Sequence, residues 1–228
     1  DLGSGTGAHA NNIIKITKAN NLYMLDQSAN MLNFSQKNYK KNQFNKFNKF
    51  NKSNYFYICS DMHNMPFKNN YKLDLVFSNL AMQWCVNWNK LFADINNLLN
   101  SKGLLVFSVI LESSLSEIDS AWQKLFVKNK PSVNSFMSKQ KILDIAENAC
   151  LSRHIFEDKK IICKFDSLFD LFASVKKIGA SNVMKDKNSN FFRGLMTPRK
   201  FKYLESIWPR DEFGKFELSY NIGYFIYE

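Results

Sequence analysis

Apolar residues along the chain gather into short runs, separated by stretches whose apolar positions recur every three or four residues. The runs Asn21 to Asp26, Tyr55 to Cys59 (YFYIC), Leu73 to Asn79 (LDLVFSN) and Gly103 to Leu111 (GLLVFSVIL) have the length and the β-branched or aromatic content of buried strands. Between them, Ala8 to Ala19 offers Ile13, Ile14 and Ile16 for a helical face, and Trp88 to Asn100 reads as a further helix. Lys102-Gly103 then places a glycine where that helix is expected to stop. Short strands alternating with helices predict an α/β fold with a parallel sheet covered on both faces.

The last third follows another rhythm. Ile155 to Phe165 and Lys215 to Tyr227 (KFELSYNIGYFIY) read as strands, and amphipathic helical stretches at Ser167 to Ile178 and Thr197 to Trp208 lie between them. This is more helix than one crossover needs. The reading is a single domain, with a core over about 1–165 and 214–228 and a helical cap over about 166–213, inserted before the last strand. Asn33 to Asn54 breaks the pattern with a repeated F-N-K triplet, whose period of three fits neither a helical face nor strand alternation. It is expected to be the end of a helix followed by a low-complexity surface loop.

Composition narrows the class. At 228 residues and 45% hydrophobic content the chain can bury one sizeable core, while no apolar run approaches the roughly 20 residues that span a bilayer. Cys59, Cys85, Cys150 and Cys163 are scattered without a C-x-x-C pair, and Cys59 and Cys163 sit in apolar runs that read as core, which fits a reduced, cytoplasmic protein. His9, His63 and His154 share no ligand spacing, so no metal is expected. The net charge of +11 points to an acidic partner: nucleic acid, an anionic membrane or an acidic protein. An enrichment in Lys, Asn, Ile and Phe together raises the charge without selecting among these.

The chemistry gathers at the opening stretch, DLGSGTGAHA. Its glycines satisfy both G-x-G-x-x-A, a dinucleotide fingerprint, and D-x-G-x-G-x-G, the loop of S-adenosylmethionine methyltransferases; each uses glycine so that backbone can turn sharply beside a ligand. Asp1 separates the two readings, because an acid before the glycines repels a pyrophosphate and suits the cationic amino group of a methionine moiety. Asp26 ends the next strand, where an acid accepts hydrogen bonds from ribose hydroxyls or simply caps the helix that follows. Asp61 follows the strand after that, so that three acids end three successive strands.

Residues DLGSGTG, YMLDQSANML, SDMHNMPF and LDLVFSNLAMQWC, followed by NLLNSKGLLVFSVI, resemble the successive motifs of class I S-adenosylmethionine-dependent methyltransferases. SNLAMQWC, SSLSEIDSAWQ, VKKIGASN, RGLMTPRKFKYLE and FELSYNIGYFIY are similar, more narrowly, to the malonyl-acyl-carrier-protein O-methyltransferase family of biotin synthesis. The resemblance implies a Rossmann-like sheet of six parallel strands and one antiparallel, with the cap before the last strand. In that family helices and a first strand precede the glycine loop, and this sequence opens on the loop; the expectation is a fragment with weakened stability and activity. By motif, Asp1, Gly3, Ser4, Gly5 and Gly7 would hold the methionine part of S-adenosylmethionine, Asp26 the ribose, Gln27 and Met31 the surroundings of the adenine, and Asp61 and Met62 its edge. Asn79 would line the methyl-transfer face. Gln83 and Trp84 either border the acyl pocket or pack the helix that follows, and Arg193 and Arg199 are the candidate substrate anchors. Asn182 stands where the family tends to carry histidine.

The activity so implied is methyl transfer to the free carboxylate of a malonyl thioester on acyl carrier protein or coenzyme A, by a monomer without nucleic-acid or membrane partners. Three other readings remain open at this point: a class I methyltransferase for another small molecule, an inactive remnant of the enzyme, and a basic nucleic-acid-binding module built on the F-N-K segment.

Overall fold

The computed structural model describes residues 1–45, 53–68, 70–125, 136–177 and 197–228. In chain order the elements are α1 (Ala10–Thr17), β1 (Asn21–Asp26), α2 (Ala29–Asn45), β2 (Asn54–Cys59), β3 (Leu73–Asn79), α3 (Trp88–Leu98), β4 (Leu99–Ile110), α4 (Ser116–Leu125), α5 (Lys139–Asn148), β5 (Arg153–Phe165), α6 (Leu168–Lys177), α7 (Pro198–Ile207) and β6 (Phe216–Tyr227). The order is the alternation read from the sequence. Two compact units result, one of Asp1–Val109, Lys139–Glu157 and Gly223–Glu228, the other of Ile110–Ser138 and Asp158–Ile222.

Six strands lie among the described residues, in two sheets, where one sheet was expected, the family's seven strands less the first. β1 and β2 pair in parallel, from Asn21 opposite Asn54 to Asp26 opposite Cys59. A four-stranded sheet runs β3-β4-β6-β5, with β3 and β4 parallel. Between β1 and β3 lie Asp1, Leu2 and Gly3. Leu2 forms a single parallel bridge with Leu25 and donates its N–H to Phe77 O at 2.7 Å, its carbonyl accepts the Ser78 hydroxyl at 2.8 Å, and Gly3 N–H donates to Leu25 O at 2.8 Å. These bonds clip the two sheets together at the carboxyl ends of their strands. Toward the amino ends the strands part around a cavity of about 500 Å³, with Leu22, Tyr23, Leu73 and Leu75 in its lining.

Packing explains where the chain departs from its periodicity. Helix α1 buries Ala10, Ile13 and Ile14 with Leu22, Met24 and Leu32, and Lys18 in the left-handed region ends it. Ile16, expected on that face, is 80% exposed. Helix α3 buries Trp88, Leu91, Phe92, Ile95 and Leu98, a spacing of three and four, and stops at Leu99, whose N–H bonds Ile95 O. Gly103 therefore does not end it. The glycine lies within β4, beside a register shift against β3, and a Cβ there would stand 2.8 Å from Leu73 O; the shift lets the two backbones approach. Phe107, Phe225 and Tyr227 stack in the core beside α3, and Phe92 meets Phe107 edge-on.

In the second unit Leu168, Leu171, Val175 and Leu204 are fully or nearly fully buried, and Phe172 meets Trp208 edge-on. Thr197 caps α7 by accepting Lys200 N–H, with Pro198 in its first turn. Both α6 and α7 belong to this unit. Of the cysteines read as core, Cys59 is exposed at the end of β2, its thiol donating to Gln27 O, and Cys163 is half-buried; β2 is an edge strand among the described residues, and its run of apolar residues is only partly covered.

Candidate active site

The glycine loop is shaped by three left-handed residues, Gly3 (φ +73°), Gly5 (φ +53°) and Gly7 (φ +74°). Two are needed for close packing: a Cβ on Gly3 would stand 2.3 Å from Ala81 Cβ, and one on Gly7 would stand 2.2 Å from Ser35 Oγ and 2.7 Å from Met24 Cε. Gly5 differs, since a Cβ there would meet nothing within 4 Å. The middle of the loop thus faces open space with bare backbone, a place where a ligand can lie against the chain.

Asp26 holds this loop in shape. Its Oδ2 accepts Gly5 N–H at 2.8 Å and its Oδ1 accepts Ser28 N–H at 2.8 Å. The carboxylate braces both the loop and the turn into α2, whose first turn Ser28 caps by accepting Met31 N–H, and each carboxylate oxygen keeps a further lone pair for an outside donor. Asp1 Oδ2 and Ser4 Oγ are buried without a hydrogen-bond partner among the described residues. A buried carboxylate oxygen left bare is costly and calls for a donor or a cation, so this end of the loop fits an ammonium group.

Asp61, after β2, caps a short 3₁₀ turn over Met62–Asn64. Its Oδ1 accepts His63 N–H at 2.9 Å and His63 Nδ1–H at 2.7 Å, and these two bonds, the backbone one foremost, hold its carboxyl below the usual carboxylate range. Asn79 ends β3. Its Oδ1 accepts the Ser108 hydroxyl at 2.6 Å and its Nδ2 donates to His9 Nε2 at 3.0 Å, so that β4 and the residue just past the glycine loop fix the amide from both sides. The next residue, Leu80, sits at φ +50°, a strained conformation for a leucine, held by its N–H to Ser108. Gln83 Nε2 donates to Leu80 O at 2.6 Å, while its Oε1 is buried without a partner among the described residues. Trp84, in the same turn, is half-buried.

The structure therefore assembles Asp1, the glycines, Asp26, Asp61, Asn79, Gln83 and Trp84 at the carboxyl ends of β1, β2 and β3, with Gln27 exposed, Met31 47% exposed on α2, and Met62 half-buried. Ligands of open α/β sheets collect at such ends. Arg199 is exposed near the start of α7 in the second unit; Arg193 and Asn182 lie outside the described residues, as do residues 46–52 of the F-N-K segment. Pattern reading missed Ser108, His9 and His63. Ser108 carried a signal, as a hydroxyl inside the apolar run GLLVFSVIL; the two histidines carried none without a fold to place them.

Residues 1–107 match a family model described as a methyltransferase domain. Among solved structures, the candidate methyltransferase BH2331 of Bacillus halodurans superposes with a TM-score of 0.63 at 12% identity, covering 100% of this chain and 90% of its own. The YcgJ protein of Bacillus subtilis superposes with a TM-score of 0.62 at 11% identity, covering 99% and 89%. The chain has the class I methyltransferase fold, with the methyltransferase-domain match lying over the half that carries the glycine loop.

Its relatives narrow the group. The chain is 29% identical to the malonyl-[acyl-carrier protein] O-methyltransferase of Hamiltonella defensa over 98% of its length and 77% of the relative's, and 29% identical to the enzyme of that name from a Marinomonas strain over 99% and 77%. Over nearly its whole length the chain is similar to malonyl-[acyl-carrier protein] O-methyltransferases.

Proposed function

We propose that the chain methylates the free carboxylate of a malonyl thioester carried on acyl carrier protein, with S-adenosylmethionine as methyl donor, to give the methyl ester that starts biotin precursor synthesis. The observation that carries this reading is the similarity to enzymes of that activity over 98% of the chain, not over the cofactor half alone. The loop fits the donor: Asp1 Oδ2 would take its ammonium group, Gly3, Ser4, Gly5 and Gly7 its methionine part, and Asp26 its ribose hydroxyls through the lone pairs left free. Gln27 and Met31 would flank the adenine, with Asp61 and Met62 at its edge. When bound, S-adenosylmethionine supplies an electrophilic sulfonium methyl.

The chain has little proton chemistry to do. A carboxyl group titrating at about 4 is already ionised at neutral pH, so no general base is needed. What the residues contribute is placement and exclusion of water. Asn79, fixed by Ser108 and His9, lines the transfer face, Gln83 and Trp84 border the acyl group, and Arg193 and Arg199 anchor the carboxylate or the acidic carrier. The net charge of +11 draws an acidic carrier protein by a salt-sensitive attraction. No described helix is long and apolar enough to cross a membrane, and a cytoplasmic monomer without nucleic-acid partners completes the proposal.

The test is transfer of labelled methyl from S-adenosylmethionine to malonyl-acyl carrier protein, beside malonyl-coenzyme A and acyl carrier protein bearing an acetyl group. Base-labile methyl on the malonyl substrates and none on the acetyl one is the expected result, and KM should rise with salt for the carrier-bound substrate. Cofactor binding without transfer to either malonyl thioester refutes the acceptor.

A further inference from the structure

His63 joins two loops that the proposed chemistry needs in register. Through Nδ1–H it donates to Asp61 Oδ1 at 2.7 Å, which fixes the tautomer and leaves the lone pair on Nε2. That nitrogen faces the loop between β3 and α3, where it accepts Val86 N–H at 3.0 Å and, more weakly, Asn87 N–H at 3.4 Å, with Cys85 Sγ at 3.3 Å. Lys90 Nζ, from α3, donates to His63 O at 2.6 Å and pairs with Asp94 at 2.6 Å. One imidazole thus spans from the turn carrying Asp61 and Met62 to the loop that follows Gln83 and Trp84.

We infer that His63 is a positioning residue, a latch between the adenine-facing turn after β2 and the acceptor-facing loop after β3, and that it works only as the neutral Nδ1–H tautomer. The inference rests on the methyltransferase reading of those two loops. The charged and titratable groups around the ring are Asp61 on its own turn, Cys85 on the opposite loop, and Lys90 and Asp94 on α3. On protonation Nε2 becomes a donor: the N–H groups of Val86 and Asn87 can no longer bond to it, and the Cys85 sulfur, a weak acceptor, is left as its partner on that loop. Acid therefore opens the latch at Val86 and Asn87 while the bond to Asp61 persists.

Asp61, His63 and Cys85 also have the order of an acid-base-nucleophile relay, and the geometry rejects that role. Cys85 is buried, burial pushes its thiol up to about 11, and the Nε2 lone pair that would take its proton is already shared with Val86 N–H. The sulfur lies against Nε2 as a weak partner beside the stronger bond from Val86 N–H.

Two substitutions divide the ring's contacts. His63→Gln places an amide oxygen near the position of Nε2 and keeps an acceptor for Val86 N–H without a titrating group; His63→Asn reaches only as far as Nδ1 and keeps the Asp61 bond alone. Two readouts are taken between pH 5.5 and 8: amide hydrogen exchange at Val86 and Asn87, and binding of S-adenosylhomocysteine by calorimetry. At pH 8 the wild type and His63→Gln should protect both amides and bind alike within about threefold, whereas His63→Asn should lose the protection and about tenfold in affinity, on the scale of one hydrogen bond. On acidification the wild type should move toward His63→Asn, and His63→Gln should not. If His63→Asn binds as tightly as the wild type at pH 8, or if protection is insensitive to pH in the wild type, the latch is refuted while cofactor binding stands. Failure of the wild type itself to bind S-adenosylhomocysteine refutes the methyltransferase reading and the latch with it.

Discussion

Gly3→Ala adds one methyl group at the most crowded point of the glycine loop. The new Cβ would stand 2.3 Å from Ala81 Cβ, against roughly 3.5–4.0 Å for two carbons in contact, so the loops must separate by more than about 1 Å. Overpacking of this kind costs about 1–3 kcal/mol. The left-handed φ of +73° adds about 1–2 kcal/mol for a residue with a side chain. The sum, about 2–5 kcal/mol, is a large fraction of the 5–15 kcal/mol by which domains are typically stable. The two parts can be separated, because Ala81→Gly removes the opposing methyl and leaves the backbone strain. Urea unfolding of the wild type, both single variants and the double variant forms a cycle, with the slope m expected to hold constant. The double variant should recover about 1–3 kcal/mol relative to the additive sum. Ala81 also opens the turn bearing Gln83 and Trp84, so Gly3→Ala should lower turnover more than stability alone explains; misplacement by about 1 Å can cost on the order of a hundredfold in rate. A Gly3→Ala variant within 0.5 kcal/mol of the wild type (roughly the scatter of a harmless surface change), or a cycle with no coupling, refutes the reasoning.

Other outcomes follow from the same contacts. Asp26→Asn replaces a charged acceptor of Gly5 and Ser28 N–H, and S-adenosylhomocysteine affinity should fall about 10–100-fold, the worth of one hydrogen bond to a charged group; calorimetry reads it, and unchanged affinity would reduce Asp26 to a brace of the loop and of the turn before α2. At pH 8 iodoacetamide should label exposed Cys59 and spare Cys85, whose thiol burial pushes up to about 11; equal labelling in the mass spectrum contradicts that burial. The Asp61 carboxyl is held low in the folded chain, so its contribution to stability is full above the unfolded value of about 3.9 and disappears as pH falls through the lower folded value. The stability gap between wild type and Asp61→Asn should accordingly be present at pH 6 and closed at pH 2, and a gap that widens toward acid reverses the sign of the argument.

Much of the fold was legible because strand and helix periods were clean. Leu73–Asn79 was read to the residue, and α3 and α7 to within a turn, since their apolar spacing and the Thr197-Pro198 start are local signals. Gly103 was misread because a glycine after a helix has the same sequence signature as a glycine at a strand irregularity; only the approach of Leu73 O distinguishes them. Ile16 failed for a related reason, as Ala10, Ile13 and Ile14 already complete the buried face of a short helix. In the site, the acids at strand ends were recoverable because the motif spaces them along the chain. The ties that hold them were not: Ser108 to Asn79 spans 29 residues, and His63 to Val86 spans 23. Such pairs exist only once strands are side by side.

The clip at Asp1, Leu2 and Gly3 makes ligand and scaffold one thermodynamic system. The same three residues bond β1 to β3 and begin the loop that is proposed to take the cofactor, so whatever the loop grips also fastens the two sheets at their shared end. A ligand at a hundred times its dissociation constant adds about 2.7 kcal/mol to the folded state. For this chain that gain enters at the seam, beside the cavity where β1 and β3 stand apart, and the melting temperature becomes a titration curve for the site.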